Sequence, residues 1–253
     1  MRRIWLDLGG RLPADISDGE TLKLSDEAFH HAIKVSRLEL GERFESITGH
    51  DILLQLEIMQ IDKKSALVKV VGRRMLPALR GPEVHLAVSL CKWDAFDWII
   101  EKSVELGVSS IQPIISQNSF IKRVDEISPA RRQRWQKTVE SATTQSVRGS
   151  LMRIEPPVGL YDFIKKINQD PSIKCLFAYE GARKVDLKAG LKNIMVGKPR
   201  AVWALVGSEG GFSAAEAEEI QRQGFEPLTM GDQILRVETA CIALMSIIKY
   251  ELN

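Results

Sequence analysis

The feature that most constrains the fold is an alternation of strand-like and helix-like segments over residues 83–253. Between the first two strand-like segments, Asp94 is the expected N-cap of a helix in which Phe96, Ile99 and Val104 share one face, and Gly107 marks the helix end. Strands separated by helices of this length favour a parallel sheet with helices on both faces. We therefore predict an α/β domain. Its main apolar strands are expected at 84–90, 111–115, 174–179 and 201–206, with a helix at 161–168 and a basic loop at 192–200.

Residues 1–75 have a different pattern, in which short strand-like segments are joined by polar turns. Gly49-His50-Asp51 and Asp62-Lys63-Lys64-Ser65 have the composition of such turns. One helix interrupts the strands and begins after Ser25. Residues 76–82 contain two prolines and a glycine, which interrupt both helical and strand periodicity, so we interpret them as a linker. The sequence thus predicts a small β-rich domain, with a barrel as its expected form.

Composition places further limits on the class of protein. The formal net charge is only +2 over 253 residues, so a nucleic-acid surface would be a local patch. Cys91, Cys175 and Cys241 all lie in apolar runs, which favours buried thiols over a disulfide framework or a metal cluster. His30 and His31 lack partners at a metal-ligand spacing, so no metal is expected. There is no signal peptide pattern and no run of membrane-spanning length, so we expect a cytoplasmic protein without membrane partners.

Two loops near the C terminus are candidates for a ligand site. The first, residues 207–213, follows an apolar strand, is rich in glycine and precedes a capping-box pattern, Ser213 with Glu216. The second, residues 230–240, places Arg236 and Glu238 two residues apart. Neither loop has the fingerprint of a P-loop or of a dinucleotide fold. Two readings stay open at this point: the glycines bring a ligand close to the backbone, or they only turn the chain.

The two loops also resemble a known family. Gly207-Ser208-Glu209-Gly210-Gly211-Phe212-Ser213, followed by Met230-Gly231-Asp232-Gln233-Ile234-Leu235-Arg236-Val237-Glu238-Thr239-Ala240, is similar to the C-terminal signature of RsmE-type 16S ribosomal RNA (uracil-N3)-methyltransferases. These enzymes belong to the SPOUT superfamily. The resemblance implies a C-terminal domain at 83–253 with a trefoil knot, which no periodicity rule would predict. It also implies a PUA-like RNA-binding barrel at 1–75.

Further segments resemble the same family in the same order. The segment from His30 to Glu42 resembles its H-x-x-x-V-L-R-x-x-x-G-D motif, and residues 100–108 resemble its Q-K-A-x-E-L-G-V helix. Gln145-Ser146-Val147-Arg148 matches Q-S-x-R. The segment Ser116-Gln117-Asn118-Ser119 departs from the pattern, because Asn118 stands where an arginine is usual. One expected contact with RNA or substrate is therefore in question.

The resemblance implies methyl transfer from S-adenosylmethionine to N3 of a uridine in 16S ribosomal RNA of the small subunit. The imide N3–H must lose its proton before N3 becomes a good nucleophile. Arg236 is expected to stabilise charge on a uracil oxygen and Glu238 to accept the proton. The alternative is a structural pair at a helix start, with Glu238 favoured by the helix dipole.

The resemblance also implies where the ligands bind. S-adenosylmethionine is expected in loops that follow three strands, at Ala178, Tyr179, Glu180, Val206, Gly207, Glu209, Gly210, Gly211, Met230, Gly231, Ile234 and Leu235. Candidate phosphate contacts, with solvated surface positions as the alternative, are Arg2, Arg3, Lys34, Arg37, Lys92, Lys102, Arg123 and Arg148. Members of the family are homodimers, so the apolar helix after Thr239 is a candidate for the interface, with burial inside the domain as the alternative.

Two rival functions come from other classes. One is an RNA-binding protein that has lost methyl transfer, a reading that the unusual Val237 and Asn118 leave open. The other is an enzyme that uses a different nucleotide, which the absence of both phosphate fingerprints disfavours. Binding of S-adenosylmethionine would discriminate against the first rival.

Overall fold

We analysed a computed structural model of the chain, which describes residues 2–167, 170–181, 185–195 and 197–252. Asn168, the last residue of a predicted helix, lies outside these ranges. Contacts between Cα atoms group the chain into two compact units. The first contains Met1–Leu79 and Val139–Leu151, and the second contains Arg80–Thr138 and Met152–Asn253. The predicted domains, 1–75 and 83–253 with a linker at 76–82, stay a prediction; they differ from this grouping over residues 139–151.

A five-stranded sheet forms the first unit, in the order β1-β3-β4-β5-β2. β1 pairs with β3 in parallel, and the other neighbours are antiparallel. Side chains such as Phe44, Leu56 and Val68 are fully buried in one core cluster. The strands are β1 (Arg3–Trp5), β2 (Thr21–Ser25), β3 (Arg43–Ile47), β4 (Ile52–Ile61) and β5 (Ser65–Met75). The sequence did not predict β2.

The predicted helix of the first unit is short and irregular. It begins with α1 (Asp26–Phe29) after Ser25 and continues as a π-helical turn over His30–Val35. At one predicted turn, the Asp62 N–H donates to the Ser65 carbonyl at 2.8 Å. Gly49 has a φ of +77° at the other.

A segment distant in sequence completes the first unit. The Asp51 N–H donates to the Gly149 carbonyl at 3.0 Å. A Cβ on Gly49 would lie 2.8 Å from the Trp5 ring and 2.9 Å from Leu151, so a larger residue would not fit there. Residues on both sides of a long sequence interval therefore pack into one unit.

The second unit is built on a parallel sheet, which confirms the predicted α/β class. In the described part of the chain, the strand order is β11-β13-β10-β12-β6-β7-β8, with β9 also paired to β7. All of these pairs are parallel. The strands are β6 (Glu83–Ser89), β7 (Ser110–Ile115), β8 (Arg153–Ile154), β9 (Val158–Gly159), β10 (Ile173–Ala178), β11 (Val185–Asp186), β12 (Ala201–Val206) and β13 (Glu226–Thr229).

Helices cover this sheet. Every residue of β12 is buried, as expected for a central strand covered on both faces. Trp203 and Leu205 pack in one cluster with residues of α4 and α6, while α7 contacts β6, β12 and α2. The helices after β6 are α2 (Trp93–Glu105), α3 (Pro129–Ser146), α4 (Leu160–Ile167), α5 (Leu187–Met195), α6 (Ala214–Arg222) and α7 (Val237–Leu252), and the part of α3 from Val139 onward belongs to the first unit. The trefoil knot stays a prediction.

Local signals at the helix ends were correct in part. Ser213 and Glu216 form the predicted capping box at the start of α6, and Gly107, with a φ of +75°, follows the end of α2. The N-cap of α2 is Lys92 and not the expected Asp94, which lies in the first turn. None of the described helices has both the length and the apolar character needed to span a membrane.

Candidate active site

A cleft of about 1080 Å³ lies where several parallel strands of the second unit end. It is lined by residues after β6, β10, β12 and β13 and by the start of α7. All twelve residues predicted to bind the cofactor line it, together with Arg236, Glu238 and Lys92. Ligands of open α/β sheets bind outside the carboxyl ends of the strands, so this position favours a binding site.

The glycine loop, residues 207–211, is a tight turn at the end of β12. The Gly211 N–H donates to the Ser208 carbonyl at 2.9 Å, which closes the turn. A Cβ on Gly207 would lie 2.9 Å from the Cα of Gly211, so even alanine is excluded without a backbone shift. Gly211 itself has a φ of +63°. The glycines are thus required by the loop conformation, and they leave peptide groups along the wall of the cleft.

The second loop follows β13 and leads into α7. The Thr229 hydroxyl donates to the Gly231 carbonyl at 3.0 Å and accepts from the Gly231 N–H at 3.3 Å. Ile234 lines the cleft with 79% of its surface exposed. An isoleucine this exposed beside a cleft offers an apolar wall to a ligand.

Arg236 and Glu238 lie at the start of α7. The Arg236 carbonyl accepts a hydrogen bond from the Ala240 N–H at 2.8 Å, and Glu238 is in the first turn. Arg236 is exposed and Glu238 is half-buried. Both therefore border the same cleft as the glycine loop.

The glycine loop is also tied to the start of α2. The Glu209 carboxylate accepts a hydrogen bond from the backbone N–H of Lys92 at 3.0 Å, across 117 residues of sequence. Lys92 is exposed and lines the cleft. A cation thus stands at the edge of the cleft beside the loop.

Two buried thiols lie near these acidic groups. Burial, with smaller contributions from the charges of Glu209 and Glu238, raises the pKa of Cys91 to about 12. Burial, with smaller contributions from Cys91 and Glu238, also raises the pKa of Cys241 well above its ordinary value. Both sulfurs are therefore protonated near neutral pH and are not activated nucleophiles.

The other predicted RNA contacts are not brought into the cleft. Lys102 is paired with Glu101 at 2.7 Å and Glu105 at 2.9 Å on α2. Arg123 is exposed and within 3.3 Å of Asp125. The remaining candidates belong to the first unit.

These first-unit candidates differ in exposure. Arg2 and Arg3 pair with Glu42 and Glu45, at 3.6 and 2.9 Å. Lys34 and Arg37 are exposed. Arg148 has only 7% of its surface exposed, which leaves little of it available to a phosphate.

Sequence reasoning missed several residues at the site. Asp94, Ala95, Leu228 and Thr229 also line the cleft, although they lie outside the predicted loops. Asn118 contacts the glycine loop, although its deviation from the family pattern had suggested only a lost contact. Among the described residues, no group of three or more His, Cys, Asp and Glu side chains is arranged to hold a metal ion.

A parallel sheet with a cleft at the carboxyl ends of its strands is the arrangement of α/β proteins that bind a small-molecule ligand. Comparison with known proteins is more specific. The family model for the RNA methyltransferase domain matches residues 79–249. Ribosomal RNA small subunit methyltransferase E of Bacillus subtilis is 30% identical over 99% of this chain and 97% of its own length. The chain therefore belongs to the RNA methyltransferase family that includes these enzymes.

Other relatives agree with this assignment. Ribosomal RNA small subunit methyltransferase E of Aquifex aeolicus is 29% identical over 91% of this chain and 94% of its own length. The crystal structure of the enzyme of the same name from Neisseria gonorrhoeae, bound to S-adenosyl methionine, superposes with a TM-score of 0.82. That comparison has 26% identity and covers 99% of this chain and 97% of the other.

Proposed function

We propose that this protein transfers a methyl group from S-adenosylmethionine to N3 of a uridine in 16S ribosomal RNA of the small subunit. The observation that carries the proposal is the convergence of the glycine loop, the second loop and the Arg236–Glu238 pair on one cleft. Family membership supports the reaction class. The related Neisseria structure, which is bound to S-adenosyl methionine, supports the choice of cofactor.

The residues of the cleft fit this cofactor. S-adenosylmethionine carries an adenine ring, polar ribose hydroxyls and an amino-acid group, and it supplies an electrophilic methyl group when bound. Ile234 and Leu235 offer apolar surface to the ring, and the glycine loop offers peptide groups to the polar parts. Glu180 and Glu209 add carboxylates that can accept hydrogen bonds from hydroxyl or ammonium groups.

Arg236 and Glu238 have complementary roles in this proposal. The uracil N3–H is a weak acid, so its proton must be removed and the resulting negative charge stabilised. The exposed guanidinium of Arg236 is suited to a uracil carbonyl oxygen. The Glu238 carboxylate accepts the proton directly or through a water molecule. The proposed reaction thus uses the side chain of Arg236, the residue just before α7, and that of Glu238, the second residue of the helix.

The target uridine must be unpaired or flipped out, because N3 lies on its pairing edge. We propose that Lys92, at the cleft, and Lys102 and Arg123, elsewhere in the second unit, contact RNA phosphates. The first unit is proposed to be the PUA-like RNA-binding module, with contacts from Arg2, Arg3, Lys34 and Arg37; the burial of Arg148 removes it from this set. A ribosomal RNA substrate would place the reaction in the cytoplasm.

We further propose a homodimer that uses α7. One side of this helix is buried through Cys241, Leu244 and Ile248. On the rest of its surface, Ile247 is only half-buried and Tyr250 is 82% exposed. A second copy would cover these apolar groups, and sedimentation of the purified protein tests this proposal.

The proposed reaction is tested by mass mapping of methylated uridines in 16S ribosomal RNA from cells that lack the protein. We expect the loss of a single N3-methyluridine and its return with the wild-type gene. Arg236→Ala should not restore it. Arg222→Ala is the matched control, because it removes an exposed arginine from α6, away from the lining of the cleft.

An unchanged methylation map would contradict the substrate assignment. Calorimetric titration of the purified protein with S-adenosylmethionine separates this outcome from a wrong choice of cofactor. Binding without methylation of this RNA would point to another RNA substrate.

A further inference from the structure

A short turn after β7 is built to present Asn118. The Ser116 N–H donates to the Ser119 hydroxyl at 2.9 Å, and the Ser119 N–H donates to the Ser116 carbonyl at 3.2 Å. Both serines are buried, with 6% and 2% of their surfaces exposed. The backbone of the turn is therefore fixed independently of the Asn118 side chain.

Asn118 holds the glycine loop from two sides. Its Nδ2 group donates to the carbonyl of Gly210 at 2.9 Å and to that of Gly211 at 3.3 Å. Its own backbone carbonyl accepts the Ser208 hydroxyl at 2.6 Å. Three hydrogen bonds, to Ser208, Gly210 and Gly211, thus join Asn118 to the loop that lines the cleft.

The fit between the two segments is close. A Cβ on Gly210 would lie 3.0 Å from the Cβ of Asn118 and 3.3 Å from its Cγ. The backbone N–H of Gln117 also donates to one carboxylate oxygen of Glu216 at 2.7 Å. The other oxygen of Glu216 accepts the backbone N–H of Ser213 in the capping box. The turn after β7 is therefore tied to both the glycine loop and the start of α6.

We propose that Asn118 is a positioning residue for methyl transfer, which holds the glycine loop in the conformation that binds S-adenosylmethionine. The required property is the NH₂ donor, because both of its partners are carbonyl oxygens and accept hydrogen bonds only. This position therefore acts on the cofactor loop in this chain, where the family pattern had suggested an arginine that contacts RNA or substrate. The inference rests on the proposed function, because the ligand is S-adenosylmethionine.

Asn118→Asp tests this inference, because it keeps the shape of the side chain and replaces the NH₂ donor by an acceptor. A carboxylate facing two carbonyls loses both bonds and adds repulsion, so we expect the Kd for S-adenosylmethionine to rise about 10- to 100-fold. The KM for S-adenosylmethionine should rise with it, while kcat at saturating cofactor stays close to the wild-type value. A contact with RNA would instead change the KM for RNA.

The matched control is Gln117→Glu. It makes the same amide-to-acid change one residue earlier, where the side chain is exposed and the contact, with Glu216 of α6, is made by the backbone N–H. Its Kd should match the wild-type value. Asn118→Ala, which removes the donor without adding charge, should give an intermediate Kd, and it decides the question if Asn118→Asp does not fold.

All three variants and the wild type are titrated calorimetrically, with melting temperatures measured in parallel. A higher Kd in the Asn118 variants but not in Gln117→Glu, at an unchanged melting temperature, supports the inference. Equal Kd values in the wild type and Asn118→Asp overturn it, and so does an equal increase in Gln117→Glu. If the wild type itself does not bind S-adenosylmethionine, the proposed function fails as well, so the two failures are distinguishable.

Discussion

The two ends of the parallel sheet use polar groups in different ways. At the carboxyl ends, Asn118 and Glu209 bind backbone groups of loops that border an open cleft. Near the amino ends, His85 of β6 lies with Nδ1 2.8 Å from the Ser110 hydroxyl and Nε2 3.1 Å from Glu83. The His85 ring also stacks on Trp203 at 4.6 Å.

Ser110, His85 and Glu83 are the residue types of a catalytic triad with a serine nucleophile, but a substrate cannot reach the serine or the histidine. Ser110 has 1% of its surface exposed and His85 has 5%. A catalytic serine must reach its substrate, so the Ser110–His85–Glu83 arrangement is a structural one. Residue types alone therefore do not identify a catalytic site; the candidate site is at the end of the sheet where backbone and polar groups remain open to a ligand.

The comparison predicts that changes near the amino ends affect stability and leave cofactor binding intact. His85→Ala removes a buried ring and leaves Ser110 without this partner, so we expect a loss of about 2 to 4 kcal/mol in the free energy of unfolding. Urea denaturation measures this change. The Kd for S-adenosylmethionine should stay at its wild-type value where the variant is folded, and a weaker affinity there would break the distinction between the two ends.

A change at the carboxyl ends should instead weaken the binding of S-adenosylmethionine. Gly207→Ala forces the glycine loop to move, and overpacking of this kind costs about 1 to 3 kcal/mol, which corresponds to roughly 5- to 150-fold in Kd. Gly211→Ala is the control within the same loop, because its Cβ would meet nothing within 4 Å. Its positive φ costs only about 1 to 2 kcal/mol, so the smaller effect is expected there. Calorimetric titration that ranks the two variants in reverse would contradict the account of the loop.

The smallest expected effect is a pH dependence that originates near the amino ends. Burial lowers the pKa of His85 below its ordinary value of 6.5, although Glu83 acts in the opposite direction. The unfolded chain therefore binds this proton more readily, and stability is lost as the pH falls from about 6.5 through the lower pKa of the folded state.

His85→Gln lacks this titration and serves as the comparison. The difference in unfolding free energy between the wild type and His85→Gln should shift against the wild type on acidification below pH 6.5. A difference that does not change with pH would show that His85 does not titrate differently in the two states.

The sequence predicted the cleft better than it predicted the contacts that support it. The glycine loop and the capping box are local in sequence, so glycine spacing and Ser213 with Glu216 were sufficient to place them. The Asn118 bond to Gly210 spans 92 residues, and no local pattern encodes it. The same limit applies to the bond between Lys92 and Glu209.

Irregular elements were predicted least well. The strand β2 was missed although Thr21–Ser25 alternates exposed and more buried positions, because the segment is short and Leu22 and Leu24 are its only apolar residues. Lys192 was expected in a loop and belongs to α5, because the basic character of the segment obscured a helix with buried Leu191. The parallel sheet was recognised because its central strands are almost continuously apolar.

The discontinuity of the first unit has a consequence for synthesis of the chain. Asp51 cannot form its bond to Gly149 until the ribosome has made that distant residue, and all of β6, α2, β7 and α3 is made in between. Closing so long an interval is a late and entropically costly step. The first unit therefore stays incomplete while the first strands of the second unit are translated, and a fragment that ends at residue 79 would lack part of its own unit.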